Sequence, residues 1–269
     1  MLMDLHLISS VATAAAHRGG GLLRAKLGNL DHIEKKGAID LVTEADTGSE
    51  AIILNLIRGA FPEHSVLTEE SGSLGGNSDC QWIIDPLDGT TNFAHGIGLF
   101  AVSIAFAHAG EIQVGVVLNP VSGELFTGVK GEGARLNGRP IHVSATQTLA
   151  DSLLVTGFPY DFKSILPSVM ARFSRCLQAS QGVRRLGSAA LDLCYVACGR
   201  FEGFWEQNLN PWDTAAGLLI AREAGAAVTG FKGDDYSPFD KKILATNGHI
   251  HTEMIDLMAL QENDEETKQ

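Results

Sequence analysis

The sequence predicts an α+β protein, a layered αβαβα sandwich with an antiparallel sheet in the N-terminal half and a mixed sheet in the C-terminal half. Three observations predict it. Amphipathic stripes at helical spacing open the chain, alternating apolar residues between tight turns fill 100–129, and strands alternate with helices after residue 150. With 269 residues, we expect an N-terminal α+β domain at 1–147 and a C-terminal α/β domain at 148–269.

The composition excludes several classes of protein. With 45% hydrophobic and 19% charged residues, the chain is an ordinary globular protein. A net charge of −12 argues against a general nucleic-acid or membrane binder, because an acidic surface repels phosphate groups. The four cysteines are too sparse for a disulfide scaffold and show no CxxC pair, and no apolar run is long enough to span a membrane. We therefore expect a cytoplasmic protein.

Helical patterns dominate the first 60 residues. The apolar stripe that begins the chain is interrupted by Gly19-Gly20-Gly21, which predicts two helical pieces. Thr47 and Glu50 are spaced as a capping box and predict a helix that starts there and ends before Pro62. Asp46 would then precede a helix N-terminus, where the dipole stabilises a carboxylate. Capping alone is the simplest role for such a residue.

A short apolar strand at 66–68 leads directly to Glu69. Adjacent glutamates such as Glu69 and Glu70 usually indicate a solvated loop, and 73–80 reads as a Gly/Ser loop. If the strand runs parallel to the next one, however, it brings Glu69 beside Asp85.

The stretch from Trp82 to Phe93 organises the rest of the chain. A buried strand delivers Asp85 to its end, and Pro86 cannot continue the ladder. Asp88 follows three residues later. Two carboxylates about 4 Å apart repel by roughly 4 kcal/mol at an effective dielectric near 20, so they need a shared proton or a divalent cation. The alternative is an ordinary Asp-Pro turn with an Asx hydrogen bond.

The remaining elements follow in order. Alternation and turn residues predict an antiparallel meander of strands at 100–107, 112–118 and 124–129. Small residues after Gly187-Ser188 predict a helix, and a strand at 201–206 ends in Glu206. Asp213 precedes a helix over 214–224, where an N-cap is its simplest role. Further predicted elements are a strand at 153–156, a helix at 162–177, strands at 226–229 and 243–245, and a helix at 250–260.

Three motifs in this order resemble the inositol monophosphatase family of magnesium-dependent, lithium-sensitive phosphatases. They are Thr68-Glu69-Glu70-Ser71, Asp85-Pro86-Leu87-Asp88-Gly89-Thr90-Thr91-Asn92-Phe93, and Pro211-Trp212-Asp213 with the Ala-Gly helix that follows it. The resemblance covers nearly the whole chain, and Arg184-Arg185 is similar to the bacterial members. Three spaced motifs are far more specific than any one of them.

The resemblance implies a role for each matching residue. The magnesium ligands would be Glu69, Asp85, Asp88 and Asp213, with the Leu87 carbonyl. Asp46, Glu69 and Thr90 would be catalytic, Asp46 orienting the attacking water together with Thr90. The substrate would contact Leu87, Asp88, Gly89, Thr90, Ala189, Glu206 and Asp213. Within this set the Gly89 and Thr90 amides would hold the phosphate, and Glu206 and Ala189 the sugar alcohol. Lys35 would lie near the catalytic loop, and Arg184 and Arg185 stay open between dimer contact and substrate rim.

The implied activity is the hydrolysis of a sugar-alcohol phosphate monoester. We expect inositol 1-phosphate to yield inositol and phosphate through direct attack of a metal-activated water, with two or three Mg²⁺ ions, no phosphoenzyme and a homodimeric protein. Histidinol phosphate, fructose 1,6-bisphosphate and nucleotides remain alternative substrates. A haloacid-dehalogenase-type phosphatase has its two aspartates two residues apart, whereas Asp85 and Asp88 are three apart. An alternative of another class is a regulatory binding protein without turnover.

Overall fold

The computed structural model describes residues 3–29, 33–35, 41–75, 79–159 and 162–260. Seven helices lie in this part of the chain: α1 (Leu5–Lys26), α2 (Glu44–Ala60), α3 (Thr90–Ala94), α4 (Leu166–Ala179), α5 (Ala189–Ala197), α6 (Pro211–Glu223) and α7 (His251–Met258). The strands are β1 (Ile33–Lys35), β2 (Leu41–Thr43), β3 (Ser65–Thr68), β4 (Gly72–Leu74), β5 (Cys80–Asp88), β6 (Ala101–His108), β7 (Glu111–Asn119), β8 (Glu124–Val129), β9 (Gly133–Leu136), β10 (Arg139–Ile141), β11 (Leu153–Thr156), β12 (Gly182–Arg184), β13 (Gly203–Gln207), β14 (Ala227–Thr229) and β15 (Lys242–Thr246).

These elements form five layers, which confirms the predicted αβαβα sandwich. Strands β3 to β10 build an eight-stranded sheet, and β11 to β15 build a five-stranded mixed sheet. Helices α1 and α2 contact one face of the larger sheet, α5 and α6 lie between the two sheets, and α4 and α7 contact each other and the smaller sheet. Alternate residues of β5 separate two cores, with Trp82 and Ile84 facing α1 and α2 and Ile83 facing the middle layer.

Two glycines in the larger sheet allow α6 to approach it closely. Gly115 and Gly128 lie opposite each other in β7 and β8. A Cβ on Gly115 would lie 2.6 Å from the carbonyl oxygen of Ala216, and one on Gly128 would lie 3.3 Å from Cα of Ile220. The helix backbone therefore packs directly against the sheet. This contact sets the distance between the sheet and Asp213 in the first turn of the helix.

The first helix is continuous, so the predicted break at Gly19-Gly20-Gly21 is wrong. The glycines belong to a close packing site: a Cβ on Gly19 would lie 2.7 Å from Oγ of Ser49 in α2, and one on Gly20 would lie 3.1 Å from the Leu118 side chain. Glycine costs about 1 kcal/mol in a helix interior. Here tertiary packing outweighs that intrinsic cost.

The second helix begins at Glu44, three residues before the predicted capping box. Thr47 Oγ1 donates to the carbonyl of Glu44 within the helix (3.4 Å), and Asp46 lies inside the first turn. Glu50 is buried and accepts hydrogen bonds from the β3–β4 segment instead of capping α2. The predicted end before Pro62 is correct, and β4 replaces part of the loop predicted at 73–80.

The sequence predicted that this strand ends at Asp85, and that prediction is wrong. Strand β5 continues through Pro86 to Asp88. Asp85 lies opposite Ser103 and Asp88 lies opposite Ala101, so β5 holds one more residue than its partner between these two pairs. This irregularity is a bulge, which tolerates proline because the ladder is interrupted there. It also re-aims the two carboxylates.

The predicted parallel pairing beside the central stretch is confirmed. Strand β3 runs parallel to β5 with Thr68 opposite Ile84, and the Glu69 amide donates to the Ile84 carbonyl (3.3 Å). The other pairs in this sheet are antiparallel. Helix α6 begins at Pro211, which places Asp213 in its first turn rather than before it. The domain boundary at 147/148 stays a prediction.

No helix among the described ranges has the length and apolar character needed to cross a membrane.

Candidate functional site

One cavity gathers the ends of five elements. The ends of β3 and β13, the β5 bulge and the N-termini of α5 and α6 all reach it. About 140 Å³ of it is open to a water-sized molecule, and its mouth opens to solvent, so a small molecule can enter it. It brings together the predicted site residues Glu69, Asp85, Leu87, Asp88, Gly89, Thr90, Ala189, Glu206 and Asp213.

Asp85 lies at the start of the bulge and is 1% exposed. Its Oδ1 accepts a hydrogen bond from the Leu87 amide (2.9 Å), so the Asx turn considered as an alternative is present. Burial and then repulsion by Glu69, Asp88 and Asp213 raise the pKa of Asp85 well above its ordinary value. The turn therefore coexists with a cluster of like charges that calls for a cation.

The N-terminus of α5 positions Asp88. The Ser188 hydroxyl and the Ala190 amide both donate to Asp88 Oδ2, at 2.6 and 2.8 Å, and the helix dipole favours an anion at this point. Burial nevertheless raises the pKa of the Asp88 carboxyl, while these bonds oppose the shift. The Asn210 amide donates to Asp213 Oδ2 (2.7 Å). Asp213 thus closes the N-terminus of α6 while facing the same cavity.

Asp46 lies behind this cavity in contact with Thr90. Thr90 Oγ1 lies 3.0 Å from Asp46 Oδ1 and 3.1 Å from the Leu87 carbonyl oxygen. Its single proton can be donated to one of them at a time. Helix α2 is attached to the bulge because Ser49 Oγ donates to the Pro86 carbonyl (3.0 Å). The Asp46–Thr90 contact and the Ser49–Pro86 hydrogen bond together connect α2 to the segment that contains the bulge and the start of α3.

The donor set fits a hard divalent cation. Glu69, Asp85, Asp88 and Asp213 offer carboxylate oxygens, the ligands that Mg²⁺ prefers. Within the described ranges, no three acidic, histidine or cysteine side chains already stand in an arrangement that could hold a metal ion. Four neighbouring carboxylates repel one another until a cation lies between them. The ligand set therefore stays a prediction that these positions support.

The comparison with known families decides what this site belongs to. The model of the inositol monophosphatase family matches residues 4–263. The chain belongs to the inositol monophosphatase family. It is accordingly a phosphoric monoester hydrolase, and enzymes of this family are generally Mg²⁺-dependent.

Individual relatives are similar over almost their whole length. An inositol-1-monophosphatase of Synechocystis sp. is 49% identical over 95% of this chain and 90% of its own. The Nus factor SuhB of Escherichia coli strain K12 is 42% identical over 93% of this chain and 95% of its own. The solved inositol monophosphatase of Anabaena (Nostoc) sp. has a TM-score of 0.87 at 45% identity, covering 95% of this chain and 96% of that one.

Glu206 occupies the inositol monophosphatase cavity at the end of β13. It is 7% exposed, and a Cβ on Gly157 would lie 2.1 Å from its Oε2, so a larger residue at 157 would displace the Glu206 carboxyl group. Burial raises the pKa of Glu206 to about 8, with a further increase from Asp88 and an opposing decrease from Arg185. The Glu206 carboxyl group is therefore a polar group in a largely buried part of the cavity lining.

The sequence left the roles of Arg184 and Arg185 open, and the structure places these two residues in different surroundings. Both arginines are exposed, but Arg185 lines the cavity, whereas Arg184 lies at the end of edge strand β12. Lys35 lies in β1, but the predicted role of its side chain falls outside what is described. A signal for Arg185 was its place two residues before Gly187, in the turn that leads into α5.

Asn92 was also missed, although it belongs to the central motif. Its Nδ2 donates to the carbonyls of Leu99 and Leu186, both at 2.7 Å. It therefore attaches the segment before α5 to the metal-site motif. An amide side chain at this point, directly after two threonines, was the available signal.

Asp192 in α5 is fully buried, and neither carboxylate oxygen has a hydrogen-bond partner among the described residues. Burial, then repulsion by Glu206 and Asp88, raise its pKa well above the ordinary value. A buried unpaired charge costs several kcal/mol. The neutral acid is therefore the form that this position favours, and no pattern in the sequence indicated it.

Glu50 supports Glu69 from behind. It accepts hydrogen bonds from the Thr68 hydroxyl (2.6 Å), the Glu70 amide (3.2 Å), and both the amide and hydroxyl of Ser71. These bonds hold the turn on which Glu69 lies. The sequence offered Glu50 only as a helix cap.

We expect Glu50→Gln to lower the free energy of unfolding by about 1.5–3 kcal/mol, because a carboxylate that accepts several bonds is replaced by an amide that must turn a donor toward donors. The Mg²⁺ concentration for half-maximal activity should also rise as Glu69 loses its support. Urea unfolding and a Mg²⁺ titration measure the two effects. Exposed Glu63→Gln is the matched control, and equal effects in both variants would contradict this role.

Proposed function

We propose that this chain hydrolyses a sugar-alcohol phosphate monoester, with inositol 1-phosphate giving inositol and phosphate, by direct attack of water. One observation carries the proposal. The cavity joins a four-carboxylate cluster, the Gly89-Thr90 turn and the buried Glu206 in one space of small-molecule size. Phosphoryl chemistry and recognition of an alcohol can therefore take place on one bound molecule.

Glu69, Asp85, Asp88 and Asp213, with the Leu87 carbonyl, would hold two or three Mg²⁺ ions. When bound, these ions supply neutralisation of the phosphoryl oxygens and acidification of a water molecule. The Leu87 carbonyl already accepts from Thr90 in part, and its second lone pair remains available for this purpose.

Asp46 and Thr90 would orient the attacking water. When the Thr90 hydroxyl donates its proton to Asp46, its oxygen can accept a hydrogen bond from water. As the water oxygen bonds to phosphorus, the ester P–O bond breaks. One water proton passes through Thr90 to the Asp46 carboxylate, and the leaving alkoxide takes a proton from a solvent water molecule to become the alcohol. Asp46 then returns its proton to the hydroxide that this leaves.

The start of α3 would hold the phosphate. Amides in the first turn of a helix have no partner within it and can bind anions. Gly89 lies before this turn with φ +99°, and a Cβ there would lie 3.1 Å from the carbonyl oxygens of Gly187 and Leu99. Glycine is therefore required where the backbone would meet the phosphate.

A substrate panel tests the proposal. With saturating Mg²⁺, we expect kcat/KM to be highest for inositol 1-phosphate among inositol 1-phosphate, histidinol phosphate, fructose 1,6-bisphosphate and AMP. Much faster cleavage of histidinol phosphate would overturn the choice of substrate. A covalent phosphoryl-enzyme trapped on rapid acid quench would overturn direct attack by water.

A regulatory role is the second candidate, since one 42%-identical relative bears the name Nus factor SuhB. Such a role needs no turnover. The complete carboxylate set supports turnover, and the acidic net charge of −12 supports the expectation that nucleic acid is not the partner. Absence of phosphate release from every substrate, in metal-replete protein, would favour the regulatory role. A homodimer remains part of the proposal, and sedimentation measures it.

A further inference from the structure

Among the described residues that line the cavity, Arg185 is the only one with a positively charged side chain. The charged groups that share this wall are acidic: Glu69, Asp85, Asp88, Glu206 and Asp213. Four of these acids form the carboxylate cluster proposed to hold Mg²⁺. Once cations neutralise that cluster, Glu206 and Arg185 are left as the two ionisable side chains that face a bound molecule.

The segment that carries Arg185 is held firmly. The carbonyl of the next residue, Leu186, accepts a hydrogen bond from Asn92 Nδ2, and Ser188 is bonded to Asp88. Gly187 has φ +89°, and a Cβ there would lie 2.5 Å from Nη1 of Arg185. The arginine side chain therefore lies against Gly187, where the positive φ favours glycine.

Two neighbours orient the guanidinium group. Its central carbon lies 5.9 Å from the centre of the Phe158 ring, which also lines the cavity. Its charge acts on Glu206, where it lowers the carboxyl pKa against the effect of burial. Both side chains line the same cavity, so one bound molecule can contact both.

A guanidinium group offers five donors in a fixed plane, and a carboxyl group keeps an acceptor oxygen whether or not it is protonated. Two adjacent hydroxyl groups can satisfy both, one accepting from the arginine and one donating to the glutamate. A second phosphate on the leaving group would instead place acceptor oxygens against the acceptor oxygen of Glu206.

We infer that Arg185 is a specificity-determining residue, which together with Glu206 selects a neutral leaving group that carries neighbouring hydroxyls. This inference rests on the proposed function and deepens it. It assigns Arg185 to the substrate rather than to charge balance among the side chains of the cavity.

The test compares Arg185→Gln with Arg184→Gln on two substrates. Arg184 is the matched control because it is the preceding residue, is exposed, and donates through Nη1 to the carbonyl of its own neighbour Val183 (3.3 Å). Inositol 1-phosphate carries neighbouring hydroxyls, and p-nitrophenyl phosphate carries none. Thermal unfolding establishes that both variants fold.

We expect Arg185→Gln to lower kcat/KM for inositol 1-phosphate by about 10- to 100-fold, as for loss of charge-assisted hydrogen bonds. For p-nitrophenyl phosphate the change should stay within about 3-fold, since an aryl leaving group forms none of these bonds. Arg184→Gln should change neither value. The loss of kcat/KM in the double variant Arg185→Gln/Glu206→Gln, expressed as a free energy, should be smaller than the sum of the two single losses, because both residues bind the same diol.

Equal losses on both substrates would overturn the inference and assign Arg185 to general electrostatics or folding. No loss on either substrate would overturn it as well. A larger loss for fructose 1,6-bisphosphate than for inositol 1-phosphate would show that the arginine reads a second phosphate. Failure of the proposed function is recognised separately, because wild-type protein would then hydrolyse neither p-nitrophenyl phosphate nor inositol 1-phosphate.

Discussion

Asp85→Asn should abolish Mg²⁺-dependent phosphate release and, in the same protein, increase stability when no metal is present. The carboxylate is buried and repelled by three other acids, so wild-type protein must carry that penalty until a cation arrives. Mutation of a residue that only supports a metal ligand typically lowers metal affinity or activity by about 10–100-fold. We therefore expect loss of a ligand itself to lower kcat/KM by more than about 100-fold. Activity and stability should therefore move in opposite directions.

The gain in stability should depend on pH. The folded-state pKa of Asp85 is raised above its unfolded value, so metal-free wild-type protein loses stability as pH rises from about 4 toward the folded-state pKa. For one proton the slope is about 1.4 kcal/mol per pH unit. Asn does not titrate. In EDTA, the advantage of the variant over wild type should be small at pH 4.5 and larger at pH 7.5, as urea unfolding measures.

Asp213→Asn should behave in the same way, because Asp213 shares the cluster. Glu253→Gln is the matched control, an acid-to-amide change on an exposed face of α7 that should leave activity and unfolding unchanged. A wild-type rate in either Asn variant would remove that residue from the metal site. Loss of activity together with lower stability in EDTA would indicate damage to the fold instead of relief of repulsion.

The sequence predicted the carboxylate cluster because its parts follow simple patterns. An apolar strand that ends in Glu69 and a second that ends in Asp85 needed only parallel pairing to bring the two acids together, and β3 and β5 pair in that way. The order of the three motifs then predicted the family. Local pattern and topology are sufficient when each functional residue lies directly at the end of a regular element.

The errors arose where tertiary contacts override local preferences. Gly19 breaks no helix, because α1 needs a small residue against Ser49. Pro86 ends no strand, because a bulge removes the hydrogen bond that proline could not donate. Glu50 caps no helix, because the β3–β4 turn binds it more fully. In each case the deciding partner lies far away in sequence, where no spacing rule reaches.

Roles within the site were equally hard to predict for side chains that act across elements. The one local difference between Arg185 and Arg184 is their distance in sequence from Gly187. In the fold, Arg185 lines the cavity and Arg184 lies at the end of edge strand β12. Only the folded chain separates two adjacent identical residues.

Thr90→Val should reduce kcat by about 10²- to 10⁴-fold, the range for loss of a positioned acid–base group, with KM little changed. Valine has nearly the shape of threonine but lacks the oxygen that contacts both Asp46 and the Leu87 carbonyl. Phosphate binding through backbone amides survives this change. Water orientation does not, so the loss should appear in the chemical step, as single-turnover kinetics measure.

Asp46→Asn should produce a loss of similar size, and the double variant should be little worse than either single one, because two residues that act as a unit are not additive. Thr91→Val is the matched control: it removes a hydroxyl from the next position of α3, where the side chain is only partly buried. If Thr91→Val and Thr90→Val reduced kcat equally, the effect would belong to the helix and not to the hydroxyl. If the Thr90 and Asp46 losses instead multiplied, each residue would act on a different part of the reaction, and the water would need another partner in this cavity.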